Sequence, residues 1–581
     1  MNKLELERLL SVASGLSAPD LVVTNCQVVD VYNHKIIKSN VAISGKYIAG
    51  IGDYICSNII DAQNKYIVPG FIDSHIHIES SYVTPEEMGR LLVSHGTSTI
   101  IADPHEIVNV CGLEGFEYMR EASKNTVLDI KYMLPSCVPA TPFETSGAVV
   151  NSGDMEIPIN EENVLGLGEF MNYPGIINGD SETLDKIMVA INNDKLIDGH
   201  SPGVFDKQLN AYTCAQIISD HECSSIEEMN DRLSRGLYVL LREGSACHDI
   251  RTLLPAVNQY NSRRCLLCSD DRHPKTILEI GHLEEHLRIC VQMNIDPITA
   301  IQMATINAAE CYKLKDRGAI APGKLASFSI IEDLESFKVE KMFIEGLLVA
   351  ENGDFIPKVN RYPIEKVKGS MHVKDFTKDK LKLKLNTNKA ITISLLPGGV
   401  LTKKTINEVK LNKENEFIFD SKTDISKVAV VERHNNTGNV AVGLLKGYGI
   451  KKGAIAQSIA HDSHNIIVVG TNDDDMYIAV NELIKQQGGV IAVLNGEVIS
   501  SIPMPVAGLM SDQSGEWVRD KLTEFNSIAF NKLKIDSNVE PIMTLCFMSL
   551  AVIPEIKLTD KGLFDVTKFE YIDINPSCQN I

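Results

Sequence analysis

Two histidines, His75 and His77, follow the apolar segment VPGFID, and Glu79 comes two residues later. Alternate side chains of a β-strand point to the same face, so the two imidazoles are predicted to lie side by side. Two neighbouring imidazoles can bind one divalent ion. A strand end with two solvated histidines fits this fragment equally well, so the rest of the chain has to decide between the two interpretations.

Further candidate ligands lie at the ends of later apolar runs, and all carry imidazole or carboxylate groups. In chain order they are Asp103, His105, Glu106, Glu169, His200, His221, Asp270 and Asp271. A single histidine in such a position is explained as a capping or core residue. Four histidines and two carboxylates at strand ends together favour a site for Zn(II), Fe(II) or Mn(II). Acidic groups in such positions would otherwise carry an uncompensated desolvation cost.

The elements that must position these side chains repeat along the chain. Over residues 67–312, eight short apolar runs alternate with helix-like segments such as TPEEMGRLLVSHG. Alternating strands and helices of this length predict a (β/α)8 barrel. Catalytic groups in such barrels lie at the carboxyl ends of the strands, which is where the candidate ligands fall.

The flanking segments predict additional domains. A chain of 581 residues exceeds the usual limit for a single core. Residues 1–66 contain a helix and then short strands punctuated by glycine, and short strands return in residues 313–370, so the two segments are predicted to form a composite β-sandwich. Residues 385–581 are predicted to form an α/β or α+β domain.

Composition restricts the partners. The chain has 56 basic and 76 acidic residues, a net charge of −20, and no basic stripe, which argues against nucleic acid. No apolar run is long enough to cross a membrane, and the N-terminus lacks the apolar core of a signal peptide. The 13 scattered cysteines favour a reducing cytoplasm over a disulfide framework. A small-molecule substrate and a homo-oligomer are expected.

The stretch GFIDSHIH, the carboxylate after strand four, the later single histidines and the aspartate after strand eight together resemble the amidohydrolase superfamily. The resemblance covers about Asp20 to Gly353. Cyclic-amide hydrolases of that superfamily usually carry a carboxylated lysine on strand four, whereas this chain has Glu169. Adenosine deaminases usually carry a glutamate three residues after the strand-five histidine, whereas this chain has Gly203.

A closer resemblance is to the bacterial adenine deaminases that carry an additional C-terminal domain. The stretches that carry it are DPHEI, GLGEFMN, DGHSPG, SDHE, CSDDRHP, ERHNNTGN, IAHDSHNI and PMPVAGLMSD. This resemblance spans nearly the whole chain. It implies hydrolysis of adenine by water to hypoxanthine and ammonia at a divalent metal pair, with Mn(II) or Fe(II) favoured and Zn(II) as the alternative.

The resemblance also implies roles for individual residues. The implied ligands are His75, His77 and Asp270 for one ion, His200 and His221 for the other, and Glu169 as the bridge between them. Asp270, Glu169 and His221 are implied to take part in catalysis, with Asp270 taking a proton from the attacking water. Asp271 stays open as the alternative to Asp270, because only one of two adjacent side chains on a strand can face the metals.

Two other segments have open interpretations. His105 and Glu106 are predicted either to contact the substrate or to serve loop structure. The AHDSHN turn contains His461, Asp462 and His464, after a run that looks helical and before the strand NIIVVG. These side chains are predicted to lie near the barrel mouth and contact the substrate, and a separate metal site or a capping turn are the alternatives.

Competing functions are separated by particular features. The zinc deaminases that combine H-x-E with P-C-x-x-C are rejected, because Cys265 and Cys268 form the only C-x-x-C, lack a preceding proline and face opposite ways on a strand. Two hypotheses compete with adenine deamination. One is an amidohydrolase acting on another aminated heterocycle or a cyclic amide, and the other is a catalytically inactive barrel scaffold.

Overall fold

The structure, a computed structural model, describes residues 1–576 of the chain. Helix α1 (Lys3–Ala13) comes first, capped by the side chain of Asn2, which accepts a hydrogen bond from the Glu5 amide at 3.0 Å. Five strands follow: β1 (Leu21–Asp30), β2 (Lys35–Ser44), β3 (Tyr47–Ile51), β4 (Ile59–Asp61) and β5 (Tyr66–Pro69). They bring the chain to the first barrel strand.

The barrel consists of eight parallel strands. They are β6 (Phe71–Ile76), β7 (Thr97–Ala102), β8 (Asp129–Leu134), β9 (Val164–Phe170), β10 (Leu196–Gly199), β11 (Ser219–Asp220), β12 (Tyr238–Arg242) and β13 (Cys265–Cys268). The Ile218 amide donates to the Ile197 carbonyl at 3.0 Å and joins β10 to β11. The chain after β13 closes the barrel on β6, because the Asp270 amide donates to the His75 carbonyl at 3.0 Å. The predicted (β/α)8 fold is confirmed.

Helices follow most barrel strands. They are α2 (Pro85–Val93), α3 (His105–Cys111), α4 (Leu113–Ala122), α5 (Ser152–Met155), α6 (Tyr173–Asn178), α7 (Ser181–Asn192), α8 (Asp206–Cys214), α9 (Ile226–Ser234), α10 (Ile250–Leu253), α11 (Pro274–Glu279), α12 (Leu283–Gln292), α13 (Pro297–Met303) and α14 (Ile306–Cys311). Capping side chains define where several of these helices begin. The Asp180 side chain, for example, accepts from the Thr183 amide at 2.9 Å and begins α7.

The strands that precede the barrel in the sequence and those that follow it form one nine-stranded sheet. The returning strands are β14 (Phe328–Ile331), β15 (Val339–Ile344), β16 (Leu347–Glu351) and β17 (Asp354–Phe355). β14 pairs antiparallel with β5, so that Phe328 lies opposite Pro69. The sheet encloses its own apolar core, in which the rings of Phe328 and Phe343 stack with centroids 4.7 Å apart.

The C-terminal region is built on an eight-stranded sheet with a hairpin and a three-stranded sheet beside it. Its strands are β18 (Lys389–Leu395), β19 (Thr402–Glu408), β20 (Lys410–Leu411), β21 (Phe417–Ile418), β22 (Ile425–Val431), β23 (Val440–Lys446), β24 (Ala454–Gln457), β25 (Ile466–Gly470), β26 (Gly489–Leu494), β27 (Glu497–Pro503), β28 (Ile556–Thr559), β29 (Gly562–Asp565) and β30 (Glu570–Tyr571). The helices are α15 (Asp473–Gln486), α16 (Gly515–Ile528) and α17 (Pro541–Cys546). Since nearly all pairings are antiparallel, this region is of the α+β type.

The C-terminal region lies against the face of the barrel at which the strands end. The Ser511 amide donates to the Tyr82 carbonyl at 2.8 Å, just beyond β6. The Thr145 amide, in the loop after β8, donates to the Asp560 side chain at 2.9 Å, and the Asn465 side chain donates to the Thr145 carbonyl at 2.7 Å. Across residues 1–576, the helices are all too short or too polar to span a bilayer.

Candidate metal centre at the barrel mouth

The two histidines at the end of β6 point at each other, with their Nε2 atoms 3.1 Å apart. His77 Nδ1 lies 2.8 Å from the carbonyl oxygen of Asp103. That oxygen can only accept, so Nδ1 carries a proton and Nε2 is left to face the other donors. Nε2 lies 3.2 Å from Asp270 Oδ1. Burial opposes a charge on His77, but Asp270 and Glu169 outweigh it and hold its pKa well above the usual value, so these groups favour a positive charge between them. A cation between His75, His77 and Asp270 fits this arrangement.

Glu169, at the end of β9, lies between two groups of histidines. Its Oε1 is 3.4 Å from His77 Nε2, and its Oε2 is 2.7 Å from His200 Nδ1 and 3.2 Å from His221 Nε2. Burial opposes the charge of Glu169, but His200 and His221 outweigh it and hold its pKa well below the usual value. An ionised carboxylate between two sets of imidazoles can bridge two ions.

The structure adds two donors that sequence reasoning did not assign as ligands. His105, the first residue of α3, directs its buried Nδ1 towards Glu169 Oε1 at 3.3 Å and makes no hydrogen bond through that atom. Glu222 Oε1 lies 3.4 Å from His221 Nε2. Both residues stand in stretches that carry the family resemblance, DPHEI and SDHE, where a ligand role could have been considered. The donor set is entirely imidazole and carboxylate, which suits a divalent ion.

The adjacent aspartates after β13 face different surroundings. The backbone of Asp270 is left-handed, with φ of 57°, and its Oδ1 lies 3.6 Å from His75 Nε2. Asp271 Oδ1 instead accepts a hydrogen bond from Ser80 Oγ at 2.5 Å. Burial raises the pKa of Asp270, but His75 and His77 outweigh it and hold that pKa well below the usual value. Asp270 is therefore the carboxylate among the histidines.

Arg242, at the end of β12, was not identified from the sequence. Its guanidinium donates to Asp270 Oδ2 and to Asp249 Oδ2, at 2.9 Å each, and also pairs with Glu222. The side chain is buried. It occupies one oxygen of Asp270 and leaves the other facing the histidines. An arginine at the end of an apolar run has no distinguishing pattern, so only the fold could identify it.

A cavity of about 620 Å³ lies between these donors and the C-terminal region. The barrel side is polar. The other side is largely apolar and comprises Pro397, Gly398, Val400, Leu401, Phe547, Leu550, Val552, Ile553 and Pro554. Apolar residues in loops carry no periodic signal, so this wall was not predicted from the sequence. Walls on two sides limit the access of water to the cavity, which strengthens the electrostatic interactions inside it.

Known protein families match both the barrel and the C-terminal region. The Amidohydrolase family matches residues 66–349, and the Adenine deaminase C-terminal domain matches residues 399–570. Adenine deaminase 2 of Desulfotalea psychrophila is 60% identical over 574 residues, covering 99% of this chain and all of that protein. Adenine deaminase of Ligilactobacillus salivarius is 51% identical, covering 98% and 99%.

The chain belongs to the adenine deaminase family. The resemblance drawn from the motifs is thereby confirmed over both regions. Membership of the amidohydrolase superfamily implies a divalent metal ion, in agreement with the donors at the barrel mouth.

In this member of the adenine deaminase family, the C-terminal domain contributes polar groups to the same cavity. His461 Nδ1 lies 3.4 Å from Glu106 Oε1, and Asp462 Oδ1 lies 3.8 Å from His105 Nε2. His461, Asp462, His105 and Glu106 all line the cavity. His464 is fully buried behind Glu106 and outside the cavity wall, so it is placed too deep to contact a ligand.

Proposed function

We propose that the protein hydrolyses adenine to hypoxanthine and ammonia. The observation that carries this proposal is the match of both domains to one family, with relatives named adenine deaminase at 60% and 51% identity over essentially the whole chain. The cluster of imidazoles and carboxylates at the strand ends supports hydrolytic chemistry, and the cavity above it accommodates a small flat base.

The proposed ligands are those with converging donors. They are His75, His77 and Asp270 for one ion, His200 and His221 for a second, and Glu169 between them. When bound, divalent ions lower the pKa of water towards neutrality and so make its attack feasible at physiological pH. We favour Mn(II) or Fe(II), with Zn(II) as the alternative, because the donor set is imidazole and carboxylate without thiolate.

Asp270 is proposed as the group that moves protons. Water adds to C6 of the purine, and N1 must gain a proton as it does so. Asp270 Oδ1 takes the proton that the water loses and passes it to N1, while Arg242 keeps Oδ2 engaged. The remaining proton of the new C6 hydroxyl then moves to the 6-amino nitrogen, which leaves as ammonia while the C6–N bond breaks. The carbonyl that forms at C6 is that of hypoxanthine.

Residues facing each other across the cavity are proposed to hold the base. Glu106 presents a carboxylate, which accepts hydrogen bonds from the donor groups on the purine edge. His105, His461 and Asp462 complete the polar side, and Phe547 covers the face of the ring on the apolar side. Adenine has several polar edge atoms and two apolar faces, so the two walls match it.

The cellular setting is part of the same proposal. A cytoplasmic enzyme of purine salvage or catabolism suits a chain whose twelve cysteines within residues 1–576 form no disulfide. A homo-oligomer is also proposed, and light scattering during gel filtration tests it directly.

The test is ammonia release by protein that has been stripped of metal and reloaded with Mn(II), Fe(II) or Zn(II). Adenine should be consumed, whereas adenosine and cytosine should not. Adenosine is the informative control, since its ribose at N9 has to fit the cavity as well. Comparable turnover of cytosine or a cyclic amide would overturn the assignment, and so would inactivity on adenine with two ions bound.

A further inference from the structure

A buried contact joins the barrel to the AHDSHN turn. Glu106 lies in the first turn of α3, and its Oε1 lies 2.8 Å from Ser80 Oγ. The other oxygen, Oε2, lies 3.8 Å from His464 Nε2. Since His464 is fully buried and does not line the cavity, it can act on a substrate only through a neighbour, and Glu106 is a neighbour that does line it.

The protonation of the His464 ring follows from its hydrogen bonds. The Ala460 amide donates to His464 Nδ1 at 3.1 Å, so Nδ1 carries no proton. Burial, and next the charges of His461 and Arg433, hold the pKa of His464 well below its usual value, so the ring is neutral. The single ring proton is therefore on Nε2, which points at the carboxylate of Glu106.

This assignment separates two roles for the cluster. Donor atoms of Glu106, His461 and His464 lie within 4.8 Å of one another, a spacing that suits a third metal ion. A metal needs a lone pair on the ligating nitrogen, and His464 Nε2 carries a proton instead. The geometry thus favours hydrogen-bond donation to Glu106 over metal binding.

The turn that carries His464 is held from two directions. The Arg433 guanidinium donates to the carbonyl of His464 and, at 3.1 Å, to that of Ala507. The Asn465 side chain accepts from the Arg433 amide at 3.2 Å and donates to the barrel carbonyl of Thr145 at 2.7 Å. His464 is therefore fixed relative to both domains and can act as a rigid reference for Glu106.

We propose that His464 is a positioning residue of the C-terminal domain, whose Nε2–H holds Glu106 of the barrel in the orientation that binds the purine edge. The proposal rests on the adenine deaminase function and on the contact between Glu106 and the base. The distance of 3.8 Å is longer than a hydrogen bond, and catalytic contacts of this kind tighten once substrate fills the site. With this role for His464, the C-terminal domain takes part in substrate recognition and does not only cover the cavity.

Two substitutions distinguish the roles of the two ring nitrogens of His464. In His464→Gln, the amide nitrogen reaches the position of Nε2 and can still donate to Glu106. In His464→Asn, the side-chain oxygen replaces Nδ1 as acceptor for Ala460, but the side chain is too short to reach Glu106. We expect Asn to lower kcat/KM for adenine by about tenfold or more, and Gln to stay within about threefold of wild type. Bound metal should be unchanged in both.

A double-mutant cycle with Glu106→Gln tests whether His464 acts through Glu106. Adding His464→Asn to Glu106→Gln should lower kcat/KM little further, because the partner has already lost its charge. Losses that multiply would overturn the proposal, as would equal defects in the Asn and Gln proteins or the loss of one bound ion. If wild type fails on adenine, the proposed function falls. The His464–Glu106 coupling is then judged by urea unfolding of the same four proteins, where additivity would refute it.

Discussion

The two walls of the cavity differ in what holds their side chains. On the barrel wall, His75 and Glu169 extend from buried parallel strands whose backbone hydrogen bonds fix them. On the C-terminal wall, Val400 lies in the loop between β18 and β19, and Phe547 begins one short 3-10 turn directly after α17. These segments are tied together by Lys557, whose buried Nζ donates to the Val400 carbonyl at 2.8 Å and to the Phe547 carbonyl at 2.9 Å.

This difference suggests a division of labour. Bond-making chemistry needs donors fixed within fractions of an ångström, and strand ends provide that rigidity. A cover has to admit a base and then exclude water, and loops tied by a few hydrogen bonds can do so. Changes on the barrel wall should therefore act on kcat and metal content, whereas changes on the C-terminal wall should act mainly on KM.

The largest effect should come from Asp270→Asn. The amide removes the proposed proton acceptor while keeping a side chain of the same size, so kcat for adenine should fall by about 10³-fold or more. Metal content, measured by elemental analysis, should stay mostly intact, because the five other proposed ligands remain. Asp271→Asn is the matched control. It faces Ser80 and should lose far less, and comparable defects in the two proteins would reject the assignment of Asp270.

Metal removal should have the next largest effect. Without ions, the buried carboxylates around Glu169 lose their proposed metal partners, so a chelated protein should lose activity and melt at a lower temperature. Readdition of Mn(II) should restore both, since an ion that binds only the folded state stabilises it by mass action. Differential scanning fluorimetry gives the melting temperature. A melting temperature that does not respond to metal would contradict a folded, pre-organised metal centre.

The barrel wall could be predicted from the sequence, and the C-terminal wall could not. The strands and their terminal His75, Glu169 and Asp270 follow from apolar runs that end in ligand-type residues, a local pattern. The run before the AHDSHN turn looked helical but forms β24, because pairing with β25 and β26 outweighs its short-range preference. Arg242 and Phe547 become recognisable only through contacts that the fold creates between distant segments.

A smaller effect is expected from Phe547→Ala on the C-terminal wall. Truncation removes aromatic area above the base but leaves the donors of the barrel untouched, so KM for adenine should rise by about tenfold while kcat changes only a few-fold. Steady-state kinetics on metal-loaded protein separates the two constants. A fall in kcat without a rise in KM would place Phe547 in the chemical step and contradict the division between the walls.

The last prediction concerns Lys557 and pH, and its readout is stability and not turnover. Burial lowers the pKa of Lys557 from its ordinary value of 10.5 to about 7, so between those values the unfolded chain binds a proton that the folded chain does not. The contribution of this lysine to the free energy of unfolding therefore rises with pH across that window, by at most about 1.4 kcal/mol per pH unit. Below about pH 7 the lysine is charged in both states, and the full cost of burying the charge is present.

Lys557→Met keeps the aliphatic chain but has no proton to bind. Its free energy of unfolding, taken relative to that of wild type, should therefore be higher at about pH 6 than at about pH 9. Urea unfolding of both proteins at the two pH values measures this difference, and a gap that does not change with pH would mean that Lys557 keeps its charge when it ties Val400 to Phe547.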